Sequence, residues 1–166
     1  MRTFIALDFE DEFFDEIEVI VKKIKKKLPG KWIRRENWHL TLAFLGNIDE
    51  KTLEETKNFL LSLEIKKPQI FCWKIDYSPG NFPRMVWVHF KNENMDVFTP
   101  IFEKYKVNDF YPHLNLLRFK PTNIKKLPKI FVPLNYYVKP KRITFYQSIL
   151  QRPFAKYLPI ISKDFV

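Results

Sequence analysis

Residues 39–42, His-Leu-Thr-Leu, return almost unchanged as residues 113–116, His-Leu-Asn-Leu. Side chains two residues apart on a β-strand share one face, so each copy predicts a strand that presents a histidine beside a hydrogen-bonding side chain. The leucines of each copy then face a core. The chain contains only three histidines. Two in the same setting indicate one pseudo-symmetric site, in which two imidazoles face a shared substrate.

Strand and helix patterns alternate around these two copies. Strands are predicted at residues 3–9, at the two histidine-bearing segments (ending near Asn47 and Phe119), and at 70–77, 85–90, 142–150 and 157–165. Helices are predicted at about 10–28, 49–62 and 97–105, with Asp49 and Thr99 as N-caps of the last two. Residues 121–133 are predicted to be an irregular connection. Two rounds of strand, helix and histidine-bearing strand indicate an α+β fold made by duplication.

Length and composition restrict the class of protein. A chain of 166 residues with 46% hydrophobic residues predicts one domain, residues 1–166. The sequence has no apolar run of about eighteen residues, so it predicts no membrane-spanning helix. The N-terminus lacks the apolar segment of a signal peptide. The lone Cys72 leaves no internal disulfide and no cysteine zinc cluster. We expect a cytoplasmic monomer.

The net charge of +10, from 29 lysines and arginines against 19 acidic residues, would attract polyanions such as nucleic acid. The lysine clusters are equally explained as solvated helix faces. Charge alone therefore leaves a nucleic-acid partner and a merely basic surface as open interpretations.

Two imidazoles in one site suit phosphoryl chemistry, because histidine titrates near neutral pH and can act as acid or base. In-line displacement at phosphorus needs an acid and a base on opposite sides of the phosphate. Thr41 and Asn115 can donate hydrogen bonds to its non-bridging oxygens. Neither histidine lies in a metal-binding motif, so we expect no metal and no cofactor. Both could instead be structural residues under an apolar layer. We expect His89 to be a structural or a surface residue.

The copies and their surroundings resemble the 2H phosphoesterases with their HxTx motifs, and within them the RNA 2′,3′-cyclic phosphodiesterases, also called LigT-type 2′-5′ RNA ligases. The similar segments run nearly end to end: residues 1–9, 36–46, 82–87, 111–118 and 145–150. The resemblance implies a bilobal α+β domain, 1–166, in which two antiparallel sheets surround a central cleft and the helices lie outside.

The resemblance also implies roles in hydrolysis of RNA 2′,3′-cyclic phosphate ends to 2′-phosphates. His39 would donate a proton to the leaving 3′ oxygen, and His113 would activate water. Thr41 and Asn115 would hold the phosphate, with Arg118 as a further anion contact. Neither a metal nor a cofactor is implied, and the partners would be RNA 3′ ends or cyclic nucleotides.

Asn115 departs from the family pattern, which has threonine or serine there. Its amide can still donate to an oxyanion but is longer and planar, so we expect activity to persist at a reduced rate. Two alternatives stay open. One is reversible 2′-5′ RNA ligation by the same four motif side chains, those of His39, Thr41, His113 and Asn115. The other is a non-catalytic module that binds RNA ends.

Overall fold

The computed structural model describes residues 1–166 as two four-stranded antiparallel sheets with three α-helices. The strands are β1 (Arg2–Phe9), β2 (Leu40–Asn47), β3 (Ile70–Ser78), β4 (Met85–Phe90), β5 (His113–Arg118), β6 (Val132–Val138), β7 (Pro140–Ile149) and β8 (Lys156–Lys163). The helices are α1 (Asp11–Lys25), α2 (Glu50–Ser62) and α3 (Thr99–Lys104). The predicted α+β class with two antiparallel sheets is confirmed. None of the helices is long and apolar enough to cross a bilayer.

The two motif strands are edge strands of different sheets. The first sheet has the order β2-β1-β7-β8 and the second β5-β4-β3-β6. The segment that leads into β2 joins them, because Trp32 forms a bridge with Leu117 and the Ile33 amide donates to the Leu116 carbonyl at 2.9 Å. The edges that carry the two histidines are therefore held side by side.

The leucines of both motifs anchor their strands in the core, as predicted. Leu40, Leu42, Leu114 and Leu116 are each at most 1% exposed. Full burial of one such side chain contributes roughly 1.5–3 kcal/mol. The alternate side chains of the same strands are left facing the space between the sheets.

Helix α1 forms because acidic residues occupy its first turn, lysines its last, and its apolar residues share one face. It ends at Lys25, three residues before the predicted end. The amides of Lys27 and Leu28 both donate to the Ile24 carbonyl, which tightens the last turn. The buried face of α1 consists of Phe13, Phe14, Ile17, Val21 and Ile24.

The capping predictions for the other helices had different outcomes. Asp49 caps α2 as predicted, accepting from the Thr52 amide at 2.8 Å. Thr99 was wrongly predicted as the cap of α3. It is the first helical residue, after a 3₁₀ turn at Met95–Phe98, and its hydroxyl donates to the Asp96 carbonyl. Pro100 fits there because the first helical turn needs no amide donor.

Strand β6 was missed by the sequence analysis. It pairs with β3 at the edge of the second sheet. Its side chains alternate between half-buried and exposed, so the apolar signal is weak. Pro133 and Asn135, whose φ is +55°, are residues that argue against a strand in a sequence pattern.

Candidate active site

A cavity of about 230 Å³ lies between the motif strands of the two sheets. Fourteen residues line it, among them all five that the sequence analysis selected: His39, Thr41, His113, Asn115 and Arg118. The lining contains two histidines and two arginines but no carboxylate. The cavity is therefore suited to an anion.

Both imidazoles are anchored in the same way. His39 Nδ1 lies 2.7 Å from the Asn37 carbonyl oxygen, and His113 Nδ1 lies 2.8 Å from that of Tyr111. A carbonyl oxygen only accepts hydrogen bonds, so each Nδ1 carries a proton and donates it. In the neutral ring, Nε2 then has the free lone pair. The pseudo-repeat thus fixes the same tautomer twice, each time through a carbonyl two residues upstream.

Thr41 is bound to the first imidazole. Its Oγ1 lies 3.0 Å from His39 Nε2, and in the neutral ring the hydroxyl must be the donor. Protonation of Nε2 would reverse this hydrogen bond and free the hydroxyl proton for another acceptor. His113 Nε2, by contrast, makes no hydrogen bond within the protein.

Burial governs the protonation of both rings. It lowers the pKa of His39 to about 4, against the opposing effects of the Asn37 carbonyl and the Asp8 carboxylate. Burial also lowers the pKa of His113, and the Arg118 guanidinium adds to that effect. Both imidazoles are therefore neutral at pH 7 in the free protein, but the charges near them have opposite signs.

The surroundings of His39 combine aromatic rings with a carboxylate network. Phe4 packs at 4.8 Å between ring centroids, and Tyr157 meets the imidazole edge-on at 5.3 Å. Behind them, Asp8 accepts hydrogen bonds from the hydroxyls of Tyr146 and Thr144. These two bonds hold the Asp8 carboxylate in place on the first sheet.

The surroundings of His113 contain an indole instead. The Trp87 ring is stacked on the imidazole at 3.8 Å between centroids, with 20° between the planes. Trp87 lies directly opposite Asn115 in the pairing of β4 with β5. Trp87 Nε1 and Asn115 Oδ1 are both buried without a hydrogen-bond partner. Asn115 Nδ2 is not buried and makes no hydrogen bond within the protein, so it can donate to a ligand in the cavity.

Residues 7–77 match the family described as LigT like Phosphoesterase. The RNA 2′,3′-cyclic phosphodiesterase of Methanocaldococcus jannaschii is 34% identical over 134 residues, covering 76% of this chain and 76% of the relative. That of Thermotoga maritima is 30% identical over 140 residues, covering 72% and 71%. The chain belongs to the LigT-like phosphoesterase family. The resemblance inferred from the two motifs is confirmed.

Solved structures extend the LigT-like fold over the whole chain. The crystal structure of a Thermus thermophilus protein has a TM-score of 0.81 at 18% identity, covering 99% of this chain and 98% of that one. E. coli LigT complexed with 3′-AMP has a TM-score of 0.74 at 21% identity, covering 99% and 96%. At these identities the likeness concerns the fold.

The LigT-like cavity also contains residues that the sequence analysis did not select: Arg2, Phe4, Ile33, Asn37, Phe44, Ser148, Leu150, Ala155 and Tyr157. Arg2 and Phe4 alternate on β1, which pairs with the motif strand β2. That spacing could have suggested them, but only once the pairing of β1 with β2 was known. Arg2 supplies the second guanidinium, which lies 4.8 Å from the centre of the Phe44 ring.

The third histidine lies outside the cavity of this LigT-like protein. His89 is 4% exposed, and its Nδ1 lies 2.8 Å from the Tyr111 hydroxyl. Its Nε2 lies 3.4 Å from the Asp76 carbonyl, so Nε2 donates and the tyrosine hydroxyl donates to Nδ1. Of the two predicted settings, the structure gives His89 the buried one, with both ring nitrogens hydrogen-bonded inside the protein. No three His, Cys, Asp or Glu side chains lie close enough together to hold a metal ion.

Proposed function

We propose that this LigT-like protein hydrolyses RNA 2′,3′-cyclic phosphate ends to 2′-phosphates without a metal, with His39 as general acid and His113 as general base. The observation that carries the proposal is the pair of imidazoles, each anchored through Nδ1, on one cavity without carboxylates. The names of the relatives in M. jannaschii and T. maritima support the substrate class. The complex of E. coli LigT with 3′-AMP supports a nucleotide ligand.

The reaction needs one proton transfer on each side of the phosphorus. A water oxygen attacks phosphorus opposite the 3′ oxygen, while His113 Nε2 takes a proton from that water. The bond from phosphorus to the 3′ oxygen breaks, and that oxygen receives the proton of His39 Nε2. The products are a 2′-phosphate and a free 3′ hydroxyl. Exchange of protons with solvent restores both rings.

The charges around the rings support this division of roles. The guanidinium of Arg118 favours the neutral form of His113, which a base requires, and the carboxylate of Asp8 favours the protonated form of His39, which an acid requires. With a pKa of about 4, His39 is uncharged at pH 7 until an anion binds. A phosphate charge about 4 Å away contributes about 4 kcal/mol at an effective dielectric constant of about 20. That energy raises a pKa by about three, to near neutrality.

Four side chains would then hold the phosphate. Protonated His39 releases the Thr41 hydroxyl, which can donate to a non-bridging oxygen. The Asn115 amide supplies a second donor, and the guanidiniums of Arg2 and Arg118 supply positive charge. Donors fixed in this way before the substrate arrives favour the more negative transition state.

The test is turnover of 2′,3′-cyclic AMP in excess EDTA. We expect the unchanged protein to form 2′-AMP, and His39→Ala and His113→Ala each to lose activity by at least about 10², because general acid–base catalysis contributes roughly 10²–10⁴. His89→Gln is the matched histidine control, with folding checked by thermal melting, and should keep most activity. Tight binding of the nucleotide without turnover would instead indicate an RNA-end-binding module. Preference for a 2′-5′ dinucleotide would indicate the ligase.

A further inference from the structure

A row of aromatic and basic side chains leads away from the cavity across the second sheet, and the proposed reaction does not use it. We call this row the aromatic stripe; its members are Tyr111, Trp73, Phe71, Tyr137, Lys74 and Lys91. The stripe starts beside the site, because the Tyr111 ring lies 5.7 Å from the Trp87 ring that is stacked on His113.

The strand pairing makes the stripe continuous. His113 faces His89 across β5 and β4, and His89 faces Lys74 across β4 and β3. The His89 ring connects the next two members, since its Nδ1 binds the Tyr111 hydroxyl and its ring meets that of Trp73 at 6.3 Å. At the far end, Phe71 lies opposite Tyr137 on β6, with 5.1 Å between their rings.

The rings of the stripe are open to solvent. Tyr111 is 44% exposed, Trp73 36% and Tyr137 46%. Exposed aromatic rings that lie together on one sheet face form an unused binding surface rather than part of a core. His89 joins Tyr111 to Trp73, and the Lys91 side chain spans from Trp73 to Phe71, which meets Tyr137. The three rings therefore belong to one surface that adjoins the cavity.

The lysines of the stripe lie over its rings. Lys74 Nζ is 4.2 Å from the centre of the Trp73 ring, and Lys91 Nζ is 5.2 Å from Trp73 and 5.5 Å from Phe71. Lys74 also lies 3.7 Å from the Asp76 carboxylate, whereas Lys91 forms no ion pair. The stripe therefore offers flat rings together with the Lys91 ammonium, which pairs with no carboxylate. The carboxylates beside the stripe are Asp76, near Lys74, and Glu93, which accepts a hydrogen bond from the Tyr137 hydroxyl at 2.6 Å.

Exposed rings with lysines beside them suit single-stranded nucleic acid. Bases of any sequence stack on aromatic side chains, and lysines attract the phosphates between them. Aromatic side chains on an open sheet face bind unpaired RNA bases in other folds as well. An acidic or apolar protein partner would use the lysines or the rings, but a nucleic acid uses both.

We propose that the aromatic stripe binds the unpaired nucleotides that precede the cyclic phosphate end of the RNA, a proposal that rests on the proposed function. The terminal phosphate lies between His39 and His113, and the preceding bases stack on Tyr111 and then on Trp73 and Phe71. Lys91 contacts the phosphates between those bases. A single-stranded 3′ end is thus the preferred substrate, and a mononucleotide uses only the cavity.

The experiment compares 2′,3′-cyclic AMP with a six-nucleotide single strand that ends in a 2′,3′-cyclic phosphate. The quantity measured is the ratio of the two kcat/KM values, oligonucleotide over mononucleotide. Stacking is worth about 1–3 kcal/mol per base, so Trp73→Ala and Phe71→Ala should each lower the ratio about 5- to 100-fold. Lys91→Ala, at an exposed position outside the core, should lower it less and weaken the salt dependence of oligonucleotide binding.

Matched controls lie in a different groove of the molecule, beside helix α1. Phe131→Ala removes a ring that is 57% exposed, and Lys129→Ala removes a lysine that lines the same groove; neither should change the ratio. An oligonucleotide no better than the mononucleotide, or stripe variants that leave the ratio unchanged, would overturn the stripe. Fluorescence anisotropy of the labelled oligonucleotide tests it separately from turnover. If cyclic AMP is not hydrolysed but Trp73→Ala still weakens oligonucleotide binding, the reaction fails and the stripe stands.

Discussion

The two halves of the site hold their histidines in the same way but surround them differently. Each imidazole donates from Nδ1 to a carbonyl two residues upstream. Each also lies at the start of an edge strand, His39 just before β2 and His113 as the first residue of β5. Beyond this anchor the likeness ends. His39 has the Asp8 carboxylate and the Thr41 hydroxyl, whereas His113 has the Trp87 indole and the Arg118 guanidinium.

Under the proposed mechanism, this difference explains how a duplicated motif supplies two opposite proton transfers. The repeated segments fix the tautomer and the direction of Nε2, since those depend on the local chain. Residues outside the repeat supply charges of opposite sign, and in the proposed mechanism those charges separate an acid from a base. Exchanging or removing one neighbour at a time should therefore change one role and leave the other.

The largest effect should distinguish the two histidines by the leaving group. A 3′-deoxynucleoside 2′-(p-nitrophenyl phosphate) keeps the bond from phosphorus to the 2′ oxygen and has nitrophenolate in place of the leaving 3′ oxygen. Nitrophenolate is weakly basic and needs no proton donor. His39→Ala should lower activity on the cyclic nucleotide by roughly 10²–10⁴-fold. The same variant should lose little activity on this ester, because it lacks only the acid. His113→Ala should remain defective on both. Steady-state kinetics gives kcat/KM for both variants on both substrates. If the two variants lose the same activity on each substrate, the assignment of roles is contradicted.

A smaller effect is expected from Arg118→Met. Losing a charged hydrogen bond to phosphate costs about 1.5–3 kcal/mol, or roughly 10- to 100-fold in kcat/KM. The pKa of His113 should also rise, because the guanidinium that lowers it is gone. The base must be neutral, so the acidic limb of the kcat/KM profile should move to higher pH.

Arg2→Met is the matched control for that shift. Arg2 also lines the cavity but does not contribute to the lowered pKa of His113. It should weaken phosphate binding without moving the acidic limb. The same limb shift in both variants would show that the Arg118 charge has no specific influence on His113.

Asp8→Asn should have an effect of less than about tenfold and should act through His39. Removing the carboxylate lowers the pKa of His39, because a nearby negative charge favours the protonated ring. The acid must be protonated in the complex, so the alkaline limb of the kcat profile should move to lower pH. The acidic limb should stay in place. Asp76→Asn, on the second sheet, is the control that should move neither limb.

The smallest effect is expected from Asn115→Thr, which makes the second motif match the first. We expect the rate to be maintained or raised a few-fold, since a hydroxyl can rotate to meet the oxyanion. The variant also removes the buried Asn115 Oδ1, which has no partner. A large loss of kcat would mean that the amide has a role that threonine cannot fill.

Local sequence pattern was enough to predict part of the site. Strand alternation grouped His39 with Thr41 and His113 with Asn115, and the family resemblance added Arg118. All five line one cavity. The near-repeat also indicated that the two pairs belong together, although it contained nothing about the Trp32 bridge that holds the motif edges side by side.

The remaining site features depend on contacts between distant segments. Phe4 and Asp8 reach the surroundings of His39 only because β1 pairs with both β2 and β7. Trp87 stacks on His113 because β4 and β5 are in that register. The lowered pKa of His39 arises from burial, which the sequence does not contain. Strand β6 was missed because its few local signals favoured a loop.

The most direct test of the paired imidazoles is an NMR titration of ¹⁵N-labelled histidine with and without inorganic phosphate. We predict neutral rings protonated at Nδ1 in both His39 and His113, and a His39 pKa of about 4 that rises markedly when phosphate binds. His89 should not respond. A His39 pKa that is insensitive to phosphate, or rings protonated at Nε2, would contradict the claim that both histidines face one phosphoryl group.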